Sequence, residues 1–251
     1  MPSEQLCIVT EIKRLNPYAY SMRLEMEAPP SAPGQFLHIK CGHSRLLRRP
    51  ISICDWDETQ TQIVFEVRGA GTEWLSKRKV GDCLDVLGPL GHGFSMKTGG
   101  RYLLVGGGIG VPPLLGCARH TDCKCSVVLG FRTAERSMLF EDFRASCDEV
   151  ITMSDDGSLG MQGFVDSGVQ GILDRGKTFD AILACGPKPM LRSVARVAAE
   201  RNIPCQVSME ERMGCGVGAC LVCACAMQDG TQKHVCKDGP VFDSREVDWS
   251  V

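Results

Sequence analysis

YLLVGGGIGVPP, residues 102–113, decides how the middle of the chain is read. An apolar run makes a buried strand, glycines break it, and paired prolines open a helix. Proline suits the first helical turn because its missing N–H would have been unpaired there anyway. Glycine lets the backbone approach a pyrophosphate, and the helix N-terminus offers free N–H groups and a dipole that favours negative charge. Proline stands where the usual dinucleotide fingerprint has a third glycine or alanine. A purely structural strand-turn-helix reading therefore stands beside the phosphate-binding one.

Downstream the pattern alternates. Apolar strands (CSVVLG, VITMS, AILAC) are separated by helical stretches at 113–119, 138–144 and 190–200, which predicts a parallel sheet with crossover helices. In such sheets ligands collect at the carboxyl ends of strands. Asp155, in SDDGS after the strand ending at Met153, is placed to accept hydrogen bonds from ribose hydroxyls and to repel a 2′-phosphate, which favours NAD; a solvated turn is the bland alternative. Arg132, after CSVVLG, argues the other way, since it could reach a 2′-phosphate. Cys185, closing AILAC ahead of Gly186 and Pro187, lies at the same edge and could meet a nicotinamide or simply pack in the core.

Upstream, short β segments (CIVTEI, YSMRLEM, QFLHIK, ISIC, QIVFEV) separated by Pro, Gly and charged turns predict an antiparallel barrel. A dense run of turn residues, DCLDVLGPLGHG, puts a boundary near Lys97. Within the barrel half, Arg49 and Ser52 could serve a pyrophosphate and a ring nitrogen, although Arg45, Arg48 and Arg49 could equally form a solvated face. GAGT, ending in Gly71 and Thr72, reads as a second loop whose N–H groups could take phosphate, or as an ordinary turn.

After Ser208 cysteine and glycine dominate. Cys215, Cys220, Cys223 and Cys236 are spaced C-x4-C-x2-C-x12-C, and the first three reproduce the plant-type ferredoxin spacing, in which a later cysteine supplies the fourth thiolate. Glycines 214, 216 and 218 suit backbone that passes close to inorganic sulfide. Four thiolates also suit structural zinc, but zinc sites usually pair their ligands in two separate C-x2-C knuckles. Cys225 reads as a packed or spectator thiol. With 15 cysteines in 251 residues and no secretory pattern, reduced thiols and a metal site fit better than a disulfide framework. The expected location is cytoplasmic, with no membrane partner, because no apolar stretch reaches the roughly 20 residues needed to cross a bilayer. A net charge of −2 gives no basic face for nucleic acid.

Taken in order, RPIS, GAGT, GPLGHGF, GGGIGVPPL, SDDGS, CGPKPM and MGCGVGACLVCAC resemble the ferredoxin-NADP reductase superfamily and, more narrowly, the electron-transfer subunits of class 1B dihydroorotate dehydrogenase. The resemblance covers essentially the whole chain. It implies an FAD-binding barrel at 1–97, an NAD-binding α/β domain at 98–208 and a 2Fe-2S cluster domain at 209–251. Carried over residue by residue, Arg49, Pro50, Ile51 and Ser52 would bind FAD, with Glu66, Val67, Arg68, Gly71 and Thr72. The superfamily often has a flavin-stacking tyrosine where Ile51 stands. Gly108 and Gly110 would approach the nicotinamide nucleotide and Cys185 would border the hydride path, while Cys215, Cys220, Cys223 and Cys236 match the cluster ligands. The implied partner is an FMN-containing catalytic subunit that oxidises dihydroorotate in pyrimidine biosynthesis, in a heterotetramer with two of each subunit. No side chain reads as a catalytic acid or base. Rival readings are a ferredoxin reductase, hydrogenase or sulfide dehydrogenase subunit with the same cofactors, and a non-enzymatic zinc adaptor.

Overall fold

The computed structural model describes residues 3–26, 30, 32–42 and 46–250; Arg45 lies outside the described residues. In the N-terminal half, β1 (Ser3–Arg14), β2 (Ala19–Glu25), β3 (Phe36–Ile39), β4 (Arg49–Trp56), β5 (Gln60–Glu66) and β6 (Cys83–Leu90) close an antiparallel barrel in the order β1-β2-β5-β4-β3-β6. Alternation explains the closure. Val9, Met22, Leu24, Leu37, Ile53, Ile63 and Leu84 point inward and are fully or almost fully buried, and side chains of opposite parity face outward.

A short helix, α1 (Ala70–Ser76), follows β5. The GAGT stretch is thus the opening of a helix rather than a free loop. Thr72 explains the difference: its Oγ1 accepts from the Arg68 and Gly69 amides at 2.9 and 3.3 Å, tying down N–H groups that open the helix.

The second half is a sheet of β7 (Arg101–Gly107), β8 (Lys124–Phe131), β9 (Glu149–Ser154), β10 (Met161–Gln162), β11 (Ala181–Cys185) and β12 (Cys205–Ser208), all parallel. Helices α2 (Pro112–Arg119), α3 (Phe140–Ser146), α4 (Val165–Asp174) and α5 (Lys188–Glu200) make the crossovers. The predicted helices at 113–119, 138–144 and 190–200 are present with ends shifted by about two residues, whereas α4 escaped the sequence reading. Gly168 and Gly171 mask it, at about 1 kcal/mol of helix propensity each. Burial of Val165, Val169, Ile172 and Leu173 outweighs that, at roughly 1.5–3 kcal/mol per fully buried aliphatic side chain.

The C-terminal segment adds a last strand to this sheet: β15 (Val241–Asp243) pairs antiparallel with β12. Before it, β13 (Ala224–Ala226) and β14 (Gln232–His234) form a small hairpin. One apolar core runs through all three parts, joining Phe36 and Leu90 of the barrel, Val105 and Val207 of the sheet, and Cys223, Cys225 and Cys236.

A polar clamp fixes barrel to sheet. Asp55 accepts from Arg119 Nη1 at 2.7 Å and lies 2.6 Å from His120 Nε2, whose ring stacks on Trp56 with centroids 3.8 Å apart. A β-carbon on Gly116 of α2 would lie 2.9 Å from the Trp56 ring, so glycine permits this approach. Among the described residues no helix is long and apolar enough to cross a membrane.

Candidate functional site

On the outer face of the barrel, β4 begins at Arg49 and runs against β3, so that Arg49, Pro50, Ile51 and Ser52 face Ile39, His38, Leu37 and Phe36 across the ladder. Arg49 folds across the start of α1. Its Nε is 2.6 Å from where a β-carbon on Gly71 would sit, and Nη1 donates to the Leu47 and Arg48 carbonyls at 2.7 and 3.3 Å. A side chain at 71 would therefore have to displace the Arg49 guanidinium. Glu66 is held between Arg68, at 3.0 Å, and Arg136, at 3.8 Å, and the Arg136 guanidinium lies over the Tyr18 ring. Val67, Leu46 and Leu47 are exposed by 39, 96 and 47%. An arginine beside half-buried Ile51 and Ser52, with a bare apolar fringe, fits a flat, charged cofactor lying across this face.

The second part is the carboxyl edge of the sheet. Register places the ends of β7, β8, β9, β11 and β12 side by side, with Gly106 opposite Cys185, Gly107 opposite Gly130, and Phe131 opposite Ser154. The chain runs from β7 outward through β8 and β9, then returns to the other side of β7 as β11. The crevice between β7 and β11 is thus the topological switch point at which open α/β sheets take ligands. Gly110 packs against the Cys185–Gly186 backbone, and a β-carbon there would lie 2.3 Å from the Cys185 carbonyl oxygen. Gly108 has φ +53° and open space where its side chain would be. The sheet therefore brings Gly108, Gly110 and Cys185 together. Asp155 stands exposed two strands from β7, roughly 10 Å away at the ordinary strand spacing. Arg132 is exposed at the neighbouring strand end. Asp156 is used locally, accepting from the Ser158 amide and hydroxyl at 3.0 and 2.6 Å, whereas Asp155 is exposed. Burial pushes the Cys185 thiol up to about 12, against a hydrogen bond with Ser208, so it is a neutral wall of the crevice rather than an acid or base.

The third part is the cysteine loop. Its thiols fall into two pairs. The Cys215 amide donates to Cys220 Sγ and the Cys220 amide to Cys215 Sγ, both at 3.4 Å, while the Cys236 amide donates to Cys223 Sγ at 3.4 Å. Further amides converge on the sulfurs: Val217 and Ala219 on Cys215 at 3.4 and 3.2 Å, and Gly218 on Cys236 at 3.1 Å. Gly216 and Gly218 have φ near +80°, which turns these N–H groups inward. Burial raises the Cys215 thiol, but the Val217 and Cys220 amides, the Cys220 thiol and the Ala219 amide outweigh it and hold the group down at about 6. Burial and the adjacent Cys223 thiol push Cys236 up to about 12. Two thiol pairs ringed by amides fit a two-metal sulfide cluster, with one pair for each iron. A tetrahedral single-ion site needs all donors to meet at one point, and among the described residues no three His, Cys, Asp or Glu side chains do so. Cys225, 3% exposed on β13, is packed into the core.

One residue of this neighbourhood escapes sequence reasoning: His38. It is fully buried under the cysteine loop, where a β-carbon on Gly216 would lie 2.6 Å from its Nδ1. The only sequence signal is a polar residue inside the apolar strand QFLHIK.

Residues 210–248 match the family model described as the iron-sulfur cluster binding domain of dihydroorotate dehydrogenase B. Among curated proteins, the electron-transfer subunit of dihydroorotate dehydrogenase B (NAD(+)) from Caldanaerobacter subterraneus subsp. tengcongensis is 40% identical over 239 residues, which is 94% of either chain. The subunit of the same name from Bacillus caldolyticus is 45% identical over 227 residues, 86% of each. Among solved structures, one described as an NADH-dependent reduced ferredoxin-NADP oxidoreductase studied for flavin-based electron bifurcation superposes with a TM-score of 0.88 at 31% identity, covering 99% of this chain and 92% of that one.

Proposed function

The chain belongs to the family of electron-transfer subunits of dihydroorotate dehydrogenase B, and we propose that it passes electrons between a dihydroorotate-oxidising partner subunit and NAD+ by way of a 2Fe-2S cluster and FAD. The observation that carries this reading is the pairing of Cys215 with Cys220 and of Cys223 with Cys236, beside a barrel face suited to a flavin. A nicotinamide exchanges two electrons as a hydride and an iron-sulfur cluster one at a time; bound FAD supplies the exchange between the two.

The protein contributes binding, orientation and electrostatics. In this proposal Arg49 neutralises the FAD pyrophosphate and Ser52 offers its hydroxyl to the flavin ring, while Pro50 and Ile51 shape the strand beneath it. Glu66, Val67, Arg68, Gly71 and Thr72 line the adjoining edge. Gly108 and Gly110 leave the crevice open to a nicotinamide nucleotide, Asp155 receives its ribose, and Cys185 walls the crevice without exchanging protons. Cys215, Cys220, Cys223 and Cys236 hold the cluster. We keep the division at 1–97, 98–208 and 209–251 as part of this reading.

The proposed partner is an FMN-containing catalytic subunit, with two copies of each chain in a cytoplasmic heterotetramer serving pyrimidine synthesis. Val217, Leu221 and Val222, exposed by 48, 58 and 58%, surround exposed Cys220 and give that partner an apolar face beside the cluster. Purifying the tagged chain from its own cell extract tests the assignment. Co-purification of an FMN protein, with dihydroorotate-dependent reduction of NAD+, is the expected result. Recovery of a different redox partner and no dihydroorotate activity would favour the reading to which the 31%-identical oxidoreductase points, a reductase subunit serving another protein.

A further inference from the structure

We propose that His38 is a positioning residue for electron transfer, a polar bridge between the flavin-binding strand and the cluster loop. The inference rests on the FAD and 2Fe-2S reading above.

Residue parity places the ring. Leu37 and Ile39 on β3 point into the barrel core, so His38 points outward, on the same face as Pro50 across β4 and Leu87 across β6. An outward residue on a barrel strand ordinarily meets water, yet His38 is 0% exposed because the loop carrying Cys215 and Gly216 closes over it. Gly216 lies so near Nδ1 that any side chain there would collide with the ring. One edge of His38 therefore adjoins the strand assigned to FAD and the other adjoins the loop between the first two cluster cysteines.

Chemistry makes this placement informative. A neutral imidazole carries one donor and one acceptor. Among the described residues neither His38 nitrogen makes a hydrogen bond of normal geometry; the Cys215 and Arg48 backbones lie near enough to act on the ring, and a buried polar group so weakly partnered is costly. A leucine would fill similar space without that cost. A group that donates next to a cluster stabilises the more negative, reduced state, as hydrogen bonds to cluster sulfurs do. The chain's own N–H groups already serve the Cys215, Cys220, Cys223 and Cys236 sulfurs, and His38 adds a side-chain donor beside the strand assigned to FAD.

The test compares wild type, His38→Leu and His38→Gln, the glutamine retaining a donor and an acceptor. Cluster reduction is followed by electron paramagnetic resonance during a redox titration, with flavin absorbance and iron content read in the same samples. His38→Leu is expected to shift cluster reduction unfavourably by about tenfold, about 59 mV for a one-electron couple, with a smaller change at the flavin. His38→Gln is expected to recover most of the shift. A wild-type cluster potential in His38→Leu, an equal shift in both variants, or equal loss of iron from both would overturn the proposal and leave His38 as packing. Wild-type protein lacking flavin and iron would instead overturn the functional reading beneath it.

Discussion

The cysteine loop and the glycine turn are the two places where we propose that backbone comes close to a cofactor, and they do so with different atoms. In the loop, the proposed metal ligands are side chains, and glycines 216 and 218 only turn amides toward sulfur. In the turn, backbone shape does nearly everything: Gly110 is required because the Cys185 carbonyl stands in its side-chain position, and Gly108 because its φ is positive. The comparison teaches that thiolate chemistry is written in spacing, whereas a nucleotide crevice becomes visible only once neighbouring strands are aligned.

The sharpest break between the two comes from Cys223→Ser. It should remove nearly all cluster iron and abolish electron delivery to a protein partner, while flavin content and NADH oxidation by an artificial dye persist; loss of flavin as well would mean the regions are not separable in this way. Next in size is the turn itself. Gly110→Ala must displace the Cys185 backbone, and is expected to cost about 3 kcal/mol in urea or thermal unfolding and to impair NADH oxidation. Gly108→Ala meets no atoms and should cost only about 1 kcal/mol, from its backbone angle. Equal effects of the two would contradict the crevice geometry.

The clamp between barrel and sheet is expected to matter less. Burial raises the Asp55 carboxyl, but hydrogen bonds with His120 and Arg119, the Arg119 charge and the Trp56 amide outweigh it, so its folded pKa lies below the ordinary 3.8. The carboxylate's contribution is therefore complete above about pH 4 and lost as pH falls through that lowered value. Asp55→Asn should cost about 2 kcal/mol near neutrality, discounted from a fully buried pair because the site is partly solvated, with the difference from wild type shrinking in acid. A pH-independent difference would place the clamp's strength in packing of Trp56 on His120. The smallest effect belongs to Asp155→Ser. Losing one exposed hydrogen bond should raise the KM for NADH about threefold and narrow the preference over NADPH.

Much of the fold is legible in the sequence. Alternation in CIVTEI and QIVFEV carries the barrel, the step from YLLV to GGGIG carries the parallel sheet, and the x4-x2 cysteine gaps carry the cluster. What stayed hidden depended on partners distant in sequence. The glycines of α4 hide a helix that Val169 and Ile172 stabilise by burial in tertiary contact. Val241–Asp243 is too short to signal a strand by itself and exists as the edge partner of β12. His38 acquires its setting only when Pro50, Leu87 and Gly216 are brought around it.

The central claim is that one chain holds a flavin and a two-iron cluster in electronic contact with NADH. Visible absorption of anaerobically purified protein, with iron and zinc assayed, before and after NADH is added, tests it most directly. The account predicts flavin bands on a broad iron-sulfur background, about two irons per chain, and bleaching of both by NADH. A colourless, zinc-containing protein that does not respond to NADH would contradict it.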